Sequence, residues 1–165
     1  MADAIPKLLI IWHSRTGGSK AMAEAAASAA KENATVILKS AQSTTPDDLI
    51  DADGYIFCAP ENLASLSGAM KEFFDRTYYP VLGKIEARPY VTMICAGSDG
   101  EGAARQIARI AKGWRLKAVA DPIIICTRAQ TPAEILASKT IDEDQLARCR
   151  DLGTLVATGL LLRIF

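Results

Sequence analysis

The stretch Leu8-Leu9-Ile10-Ile11-Trp12-His13-Ser14-Arg15-Thr16-Gly17-Gly18-Ser19-Lys20 carries an apolar run straight into a loop of hydroxyls and glycines, and an alanine-rich segment follows. A strand that stops at a small turn and restarts at once as a helix gathers backbone N–H groups and hydroxyls at the positive end of the helix dipole. Such a loop cradles a phosphate. It places a phosphorylated cofactor at the end of the first strand. The alternative is an ordinary strand-to-helix turn with Ser19 as its N-cap.

Apolar runs and helical patterns alternate outward from this loop. Strands are expected at 7–12, 35–38, 54–59 (ended by Pro60), 90–96 and 118–126, the last an edge or bulged strand because of Pro122. Helices are expected at 19–33, with Met22, Ala25, Ala26 and Ala29 inward; at 67–77, with Met70, Phe73, Phe74 and Thr77 inward; and at 100–112, with Ile107 and Ile110 inward and Gly113 as its stop. Residues 43–51 read as a loop with one possible turn after Pro46. Thr140 and Glu143 have capping-box spacing and open a long final helix facing inward with Leu146, Cys149, Leu152, Leu155 and Val156. Five strands alternating with helices imply an α/β fold, a parallel sheet covered on both faces. The expectation is a single domain, 1–165, with ligands bound beyond the strand carboxyl ends where the order 2-1-3-4-5 switches direction. Loops 14–19, 60–68 and 97–102 should meet there.

Composition narrows the function. The chain has 165 residues, half of them hydrophobic, with 19 basic and 19 acidic side chains. That balance favours neither a nucleic-acid partner nor an anionic membrane surface. No apolar run approaches the roughly 20 residues of a bilayer span. Met1 to Pro6 has no basic n-region, so a cytoplasmic protein is expected. Cys58, Cys95, Cys126 and Cys149 form no C-x-x-C pair. They read as small apolar residues in a reduced compartment, with a redox-active thiol as the alternative, and no metal site is expected.

The glycine-rich stretches fail several familiar templates. Gly17-Gly18-Ser19-Lys20 lacks Walker A spacing, and Gly97-Ser98-Asp99-Gly100-Glu101-Gly102 lacks the dinucleotide spacing. Cys58-Ala59-Pro60 ends the third strand without the aspartate of a receiver domain, and no G-x-S-x-G elbow is present. Ser14-x-Thr16-Gly17-x-Ser19 instead resembles the phosphate loop of the flavodoxin-like FMN proteins. Ala59-Pro60, followed by Leu66-Ser67-Gly68-x-Met70-Lys71-x-Phe73-x-Asp75-Arg76, is similar to the segment after the third strand in the flavodoxin-family reductases. Those include the NAD(P)H:quinone oxidoreductases and NADPH-dependent FMN reductases.

The resemblance implies a flavodoxin-like three-layer sandwich and FMN, rather than FAD or a nucleoside triphosphate. It implies that Ser14, Arg15, Thr16, Gly17, Gly18 and Ser19 ring the phosphate. Pro60, Glu61, Asn62 and Leu63 would edge the flavin ring, with Ser98, Asp99 and Gly100 along its other side. Arg15 would pair with the phosphate or point into water. His13, the sole histidine, is a loop anchor or a catalytic group. Glu61, Asp99 and Glu101 would touch the pyrimidine edge or remain solvated, and Lys71 and Arg76 are expected on an exposed helix face.

Two functions fit. One is a reductase taking hydride from NADPH or NADH and passing it through FMN to a small-molecule electron acceptor such as a quinone or flavin, with no catalytic side chain of the protein. The other is a one-electron carrier between redox proteins; a structural or sensory flavin module is a blander third. Carrier flavodoxins are markedly acidic and cover the ring with aromatics, whereas this chain is neutral and loops 60–68 and 97–102 contain no aromatic residue. That favours the reductase, since hydride transfer needs an open ring face. The chain lacks the insertion of the tetrameric quinone reductases; Arg128 is a conceivable nucleotide contact. Self-association is expected from the apolar ending Leu160-Leu161-Leu162-Arg163-Ile164-Phe165, and from Tyr78-Tyr79-Pro80, where related reductases place aromatics near a neighbouring subunit's flavin. The alternative docks the tail on its own sheet and uses the tyrosines to cap the local core.

Overall fold

The computed structural model describes residues 4–165; Met1-Ala2-Asp3, the start of the segment read for a leader, lies outside the described residues. In chain order the elements are β1 (Lys7–Trp12), α1 (Gly18–Ala30), β2 (Thr35–Ser40), α2 (Pro46–Asp51), β3 (Gly54–Asn62), β4 (Ser65–Leu66), α3 (Gly68–Val81), β5 (Pro89–Ala96), α4 (Glu101–Gly113), β6 (Lys117–Ala118), β7 (Ile123–Cys126), α5 (Pro132–Leu136) and α6 (Glu143–Leu162). The parallel order is β2-β1-β3-β5, and both β6 and β7 pair with the far edge of β5. Counted as one interrupted strand, β6 and β7 complete the order 2-1-3-4-5. The short β4 folds back antiparallel on the end of β3.

Alternating side chains of the sheet feed two cores. Leu8 and Ile10 of β1 join Met22, Ala26, Cys149 and Val156 beneath α1 and α6. Leu9 and Ile11 join Phe57, Phe73, Phe74, Ile107 and Trp114 on the other face. The alanines of α1 let α6 approach closely: a Cβ on Gly153 would overlap the backbone of Ala26. The buried stripe of α1 is therefore Met22, Ala23, Ala26, Ala27 and Ala30, turned toward both sheet and α6, and not the expected Ala25 and Ala29.

Other departures have local causes. Pro60 does not end β3; it pairs with Cys95. The pairing of β1 stops at Cys58, so the missing N–H of Pro60 breaks no bond to β1, and its carbonyl accepts the Ser67 N–H instead. Thr45 and Asp48 form a capping box around Pro46, and the turn allowed for after Pro46 is a six-residue helix inside the expected loop. Thr140 does not cap α6, whose N-cap is Asp142, and Leu155 stays exposed. Gly113 is the last residue of α4; Arg115 takes the left-handed turn (φ 57°), and Gly113 is small because Tyr78 packs against it. The expected strand 118–126 is broken at 119–122, around Pro122.

The C-terminal tail turns back through Arg163 (φ 54°), and Phe165 covers Gly159. Leu162 and Ile164 remain exposed. Tyr78 stacks on Trp114 with centroids 5.7 Å apart, and Tyr79 is exposed. They lie ten and eleven residues along α3 from Gly68, about 15 Å or more down the axis from the loop that opens it. Within this chain Tyr78 serves the local core.

Candidate functional site

The loop between β1 and α1 is pinned from below. The His13 N–H donates to the Cys58 carbonyl (3.0 Å), and its ring Nδ1 meets the Ser67 hydroxyl at 2.8 Å. His13 is thus an anchor between the loop and the N-cap of α3, and burial holds its imidazole below the usual pKa of 6.5. The Gly17 N–H donates to the Ser14 hydroxyl at 2.9 Å, folding the loop on itself, with Gly17 left-handed at φ 98°. Ala21 N–H begins the helical ladder by donating to the Gly17 carbonyl, so the N–H groups of Gly18, Ser19 and Lys20 stand in the first turn with no i−4 partner.

Gly18 cannot be larger without a clash: its Cβ would lie 2.5 Å from Cys95 Sγ. The Ser19 hydroxyl differs from expectation. It is buried and donates to the His13 carbonyl at 2.6 Å, which leaves Ser19 its backbone N–H to offer a ligand. Arg15 is exposed and has no hydrogen bond or ion pair among the described residues.

The three loops converge on one open cleft over the carboxyl ends of the strands. Arg15 and Thr16 line it from the first loop, Pro60, Glu61 and Asn62 from β3, and Cys95, Ala96 and Gly97 from the end of β5. Glu61 is neither solvated nor free: its carboxylate accepts the N–H groups of Gly100 (2.8 Å) and Ala103 (3.1 Å) at the start of α4. Leu63 and Ala64 form the two-residue tip of the β3–β4 hairpin, both with positive φ, and Leu63 projects fully into solvent. Ser98 and Asp99 are exposed and Gly100 is buried against Ile124; none of the three lines the cleft. Lys71 and Arg76 are on the outer face of α3 as expected, with Arg76 also donating to the carbonyls of Ala41 and Thr44.

Sequence reasoning missed a fourth contributor. Thr127, Ala129, Ile135 and Lys139, from the crossover between β7 and α6, line the same cleft. The signal was present: Thr131-Pro132-Ala133-Glu134 is a proline-led capping box, and it starts α5. Cys58, Cys95 and Cys149 are buried, and burial pushes their thiols up, Cys95 and Cys149 to about 11. At neutral pH they stay protonated and poor nucleophiles.

Open first-turn N–H groups, the Thr16 hydroxyl, a left-handed Gly17, a cramped Gly18 and an unpaired guanidinium suit a phosphate monoester. The adjoining cleft offers a wall of strand-end backbone for a flat group, and no aromatic ring lines it. Among the described residues no helix is long and apolar enough to cross a membrane.

The sequence model of the NADPH-dependent FMN reductase family matches residues 6–122. A flavodoxin of Aquifex aeolicus is 34% identical over 104 residues, 62% of this chain and 55% of that protein, so the matched region spans about half the length of this curated relative. An archaeal flavodoxin structure superposes with a TM-score of 0.76 at 20% identity, covering 93% of this chain and 98% of the flavodoxin. A WrbA-like flavodoxin from Agrobacterium tumefaciens gives 0.68 at 18% identity, covering 94% and 97%. At such identities the structural likeness speaks for the fold. The match over most of the sequence carries the family: the chain belongs to the NADPH-dependent FMN reductase family, within the flavodoxin-like FMN proteins.

Proposed function

We propose that the protein is an FMN-dependent reductase that uses NADPH or NADH to reduce a small acceptor such as a quinone or a flavin. The observation that supports it most is a phosphate cradle opening into a cleft whose lining has no aromatic side chain, which leaves room for a nicotinamide to stack. Ser14, Arg15, Thr16 and Gly17, with the N–H groups of Gly18 and Ser19, would hold the phosphate. Pro60, Glu61 and Asn62 would form one wall. Leu63, Ser98, Asp99 and Gly100 would act from the rim, or by shaping the loops, since they do not line the cleft. When bound, FMN would supply the hydride chemistry of such a reductase. The residues of the chain bind it, orient it and shield one side of it from water. No side chain is assigned as nucleophile, in keeping with thiols held protonated.

The test is anaerobic mixing of the FMN-loaded protein with NADPH and, separately, NADH. Bleaching of the visible flavin band within minutes by either supports the reductase. No bleaching by either nucleotide refutes it and favours the second reading, a carrier that docks on redox proteins. Fully exposed Leu63 on the hairpin tip beside the cleft is the feature that would serve such docking. Self-association belongs to the same proposal, motivated by exposed Leu155, Leu162 and Ile164. A strict 17.7 kDa monomer in light scattering at micromolar concentration would refute it.

A further inference from the structure

The crossover between β7 and α6 does more than connect them. The Lys139 N–H donates to the Thr16 carbonyl at 2.8 Å. The Lys139 carbonyl would stand 3.8 Å from a Cβ on Gly17, and its own Cβ 3.5 Å from one on Gly18. Lys139 therefore braces the tightest part of the phosphate loop. Its ammonium is held by three carbonyls at the end of α5, those of Glu134 (2.8 Å), Ile135 (2.9 Å) and Ala137 (2.5 Å).

Those partners are neutral. Lys7, Lys20, Lys39 and Lys71 each have an acidic partner, whereas Lys139 and Arg15 have none among the described residues. Both line the same cleft. The Lys139 charge reaches the cleft floor, where it opposes the burial that raises the Cys95 thiol. Glu61 lines the same cleft, but its carboxylate accepts the Gly100 and Ala103 N–H groups, so the two cations leave the concave surface with a positive balance that favours an anion there.

We propose that Lys139 is a positioning residue of the cofactor site: its main chain fixes the phosphate loop, and its ammonium, whose three N–H donors are spent on carbonyls, adds with Arg15 a positive charge that offsets the FMN phosphate without a direct contact. This rests on the reading that the cleft takes FMN. The site then draws on two segments more than a hundred residues apart in sequence. One is the loop beside α1. The other is a crossover that neither glycine nor hydroxyl patterning marks.

Riboflavin, which lacks the phosphate, separates charge from shape. Dissociation constants for FMN and riboflavin are measured by flavin fluorescence on the wild type, K139M and K139R. K139M should weaken FMN by up to about fivefold, the size of a charge acting without a direct contact, and leave riboflavin unchanged, while K139R should retain most of the FMN affinity. In the unmutated protein, FMN but not riboflavin should slow acetylation of Lys139, followed by mass spectrometry. This second measurement decides the matter if K139M fails to fold. Equal losses of both flavins in K139M, no loss of either, or equal protection of Lys139 by both would overturn the assignment and leave the FMN reading standing. A wild type that binds neither flavin would overturn the FMN reading and the assignment with it.

Discussion

Gly18 and Gly68 each occupy the first helical position of an element that leaves a cleft loop, and neither has a positive φ. Alanine is therefore permitted by the backbone at both, and only the surroundings differ. A Cβ at Gly68 meets nothing within 4 Å. A Cβ at Gly18 would lie 2.5 Å from Cys95 Sγ, 3.5 Å from Lys139 Cβ and 3.6 Å from Ile141 Cδ1. Gly68→Ala should stabilise the protein by up to about 1 kcal/mol, through helix propensity and a less flexible unfolded chain. Gly18→Ala gains the same term and loses about 1–3 kcal/mol to overpacking, because the Cys95 backbone is fixed in a central strand and its buried sulfur can move only by leaving its rotamer. The net expectation is a loss of up to about 2 kcal/mol. Equilibrium urea unfolding of the FMN-free protein reads both as midpoint shifts at constant slope. Putting Cys95→Ala behind Gly18→Ala removes the sulfur that the new methyl strikes, so the pair should couple favourably by about 1 kcal/mol. Parallel stabilisation by both glycine substitutions, or no coupling with Cys95→Ala, would refute the close approach between loop and strand.

Thr16→Ala should weaken FMN by about 1 kcal/mol or more in a fluorescence titration, as a lost charge-assisted hydrogen bond would. Ser19→Ala should instead lower the unfolding midpoint, because its hydroxyl is spent on the His13 carbonyl. Burial holds His13 below its ordinary pKa of 6.5, so the unfolded chain binds the proton first. Stability should be full above pH 6.5 and fall as the pH drops through the folded value, and His13→Gln should flatten that slope in urea midpoints measured from pH 7.5 to 5. Glu61→Ala should cost about 1–2 kcal/mol, as the loss of a helix N-cap does, and thermal melts check it. In hydrogen exchange, the amides of Ile135 and Ala137 in the exposed α5 should exchange faster than those of Gly100 and Ala103, with FMN slowing the former most.

The fold was legible because the strands are short apolar runs with one helical segment between each. Burial on both faces removes the alternation but leaves the length and the punctuation. Pro60 misled because its effect depends on a neighbour: a proline is tolerated on β3 only because β1 has already ended. The Thr140–Glu143 pair had the right spacing in the wrong context, while Thr45–Asp48 and Thr131–Glu134, each with proline at the first helical position, were the working boxes. The phosphate loop could be read from local sequence because its work is done by nearby backbone and hydroxyls. Lys139 could not, because a three-dimensional contact and not a motif brings it to Thr16. The Ser19 hydroxyl showed the converse: the right residue at the right place, turned inward toward a carbonyl six positions back.

Glu61 joins the electrostatics of the cleft to its shape. A carboxylate among the lining residues would oppose an anionic cofactor if its charge stood free. Here each oxygen takes a backbone N–H from the start of α4, where the helix carries partial positive charge, so its field in the cleft is offset. The same two bonds tie the end of β3 to the 97–102 loop, and Gln106 adds a third tie by accepting the Leu66 N–H at 2.6 Å. That wall is set by the chain itself, before any ligand arrives. The opposite wall, α5 with Ile135, is five residues long, exposed throughout, and fastened by Lys139 through one backbone bond to Thr16 and its own side chain. Adjustment to a bound molecule therefore falls to the crossover, and the strength of its fastening depends on the residue whose charge the phosphate would meet.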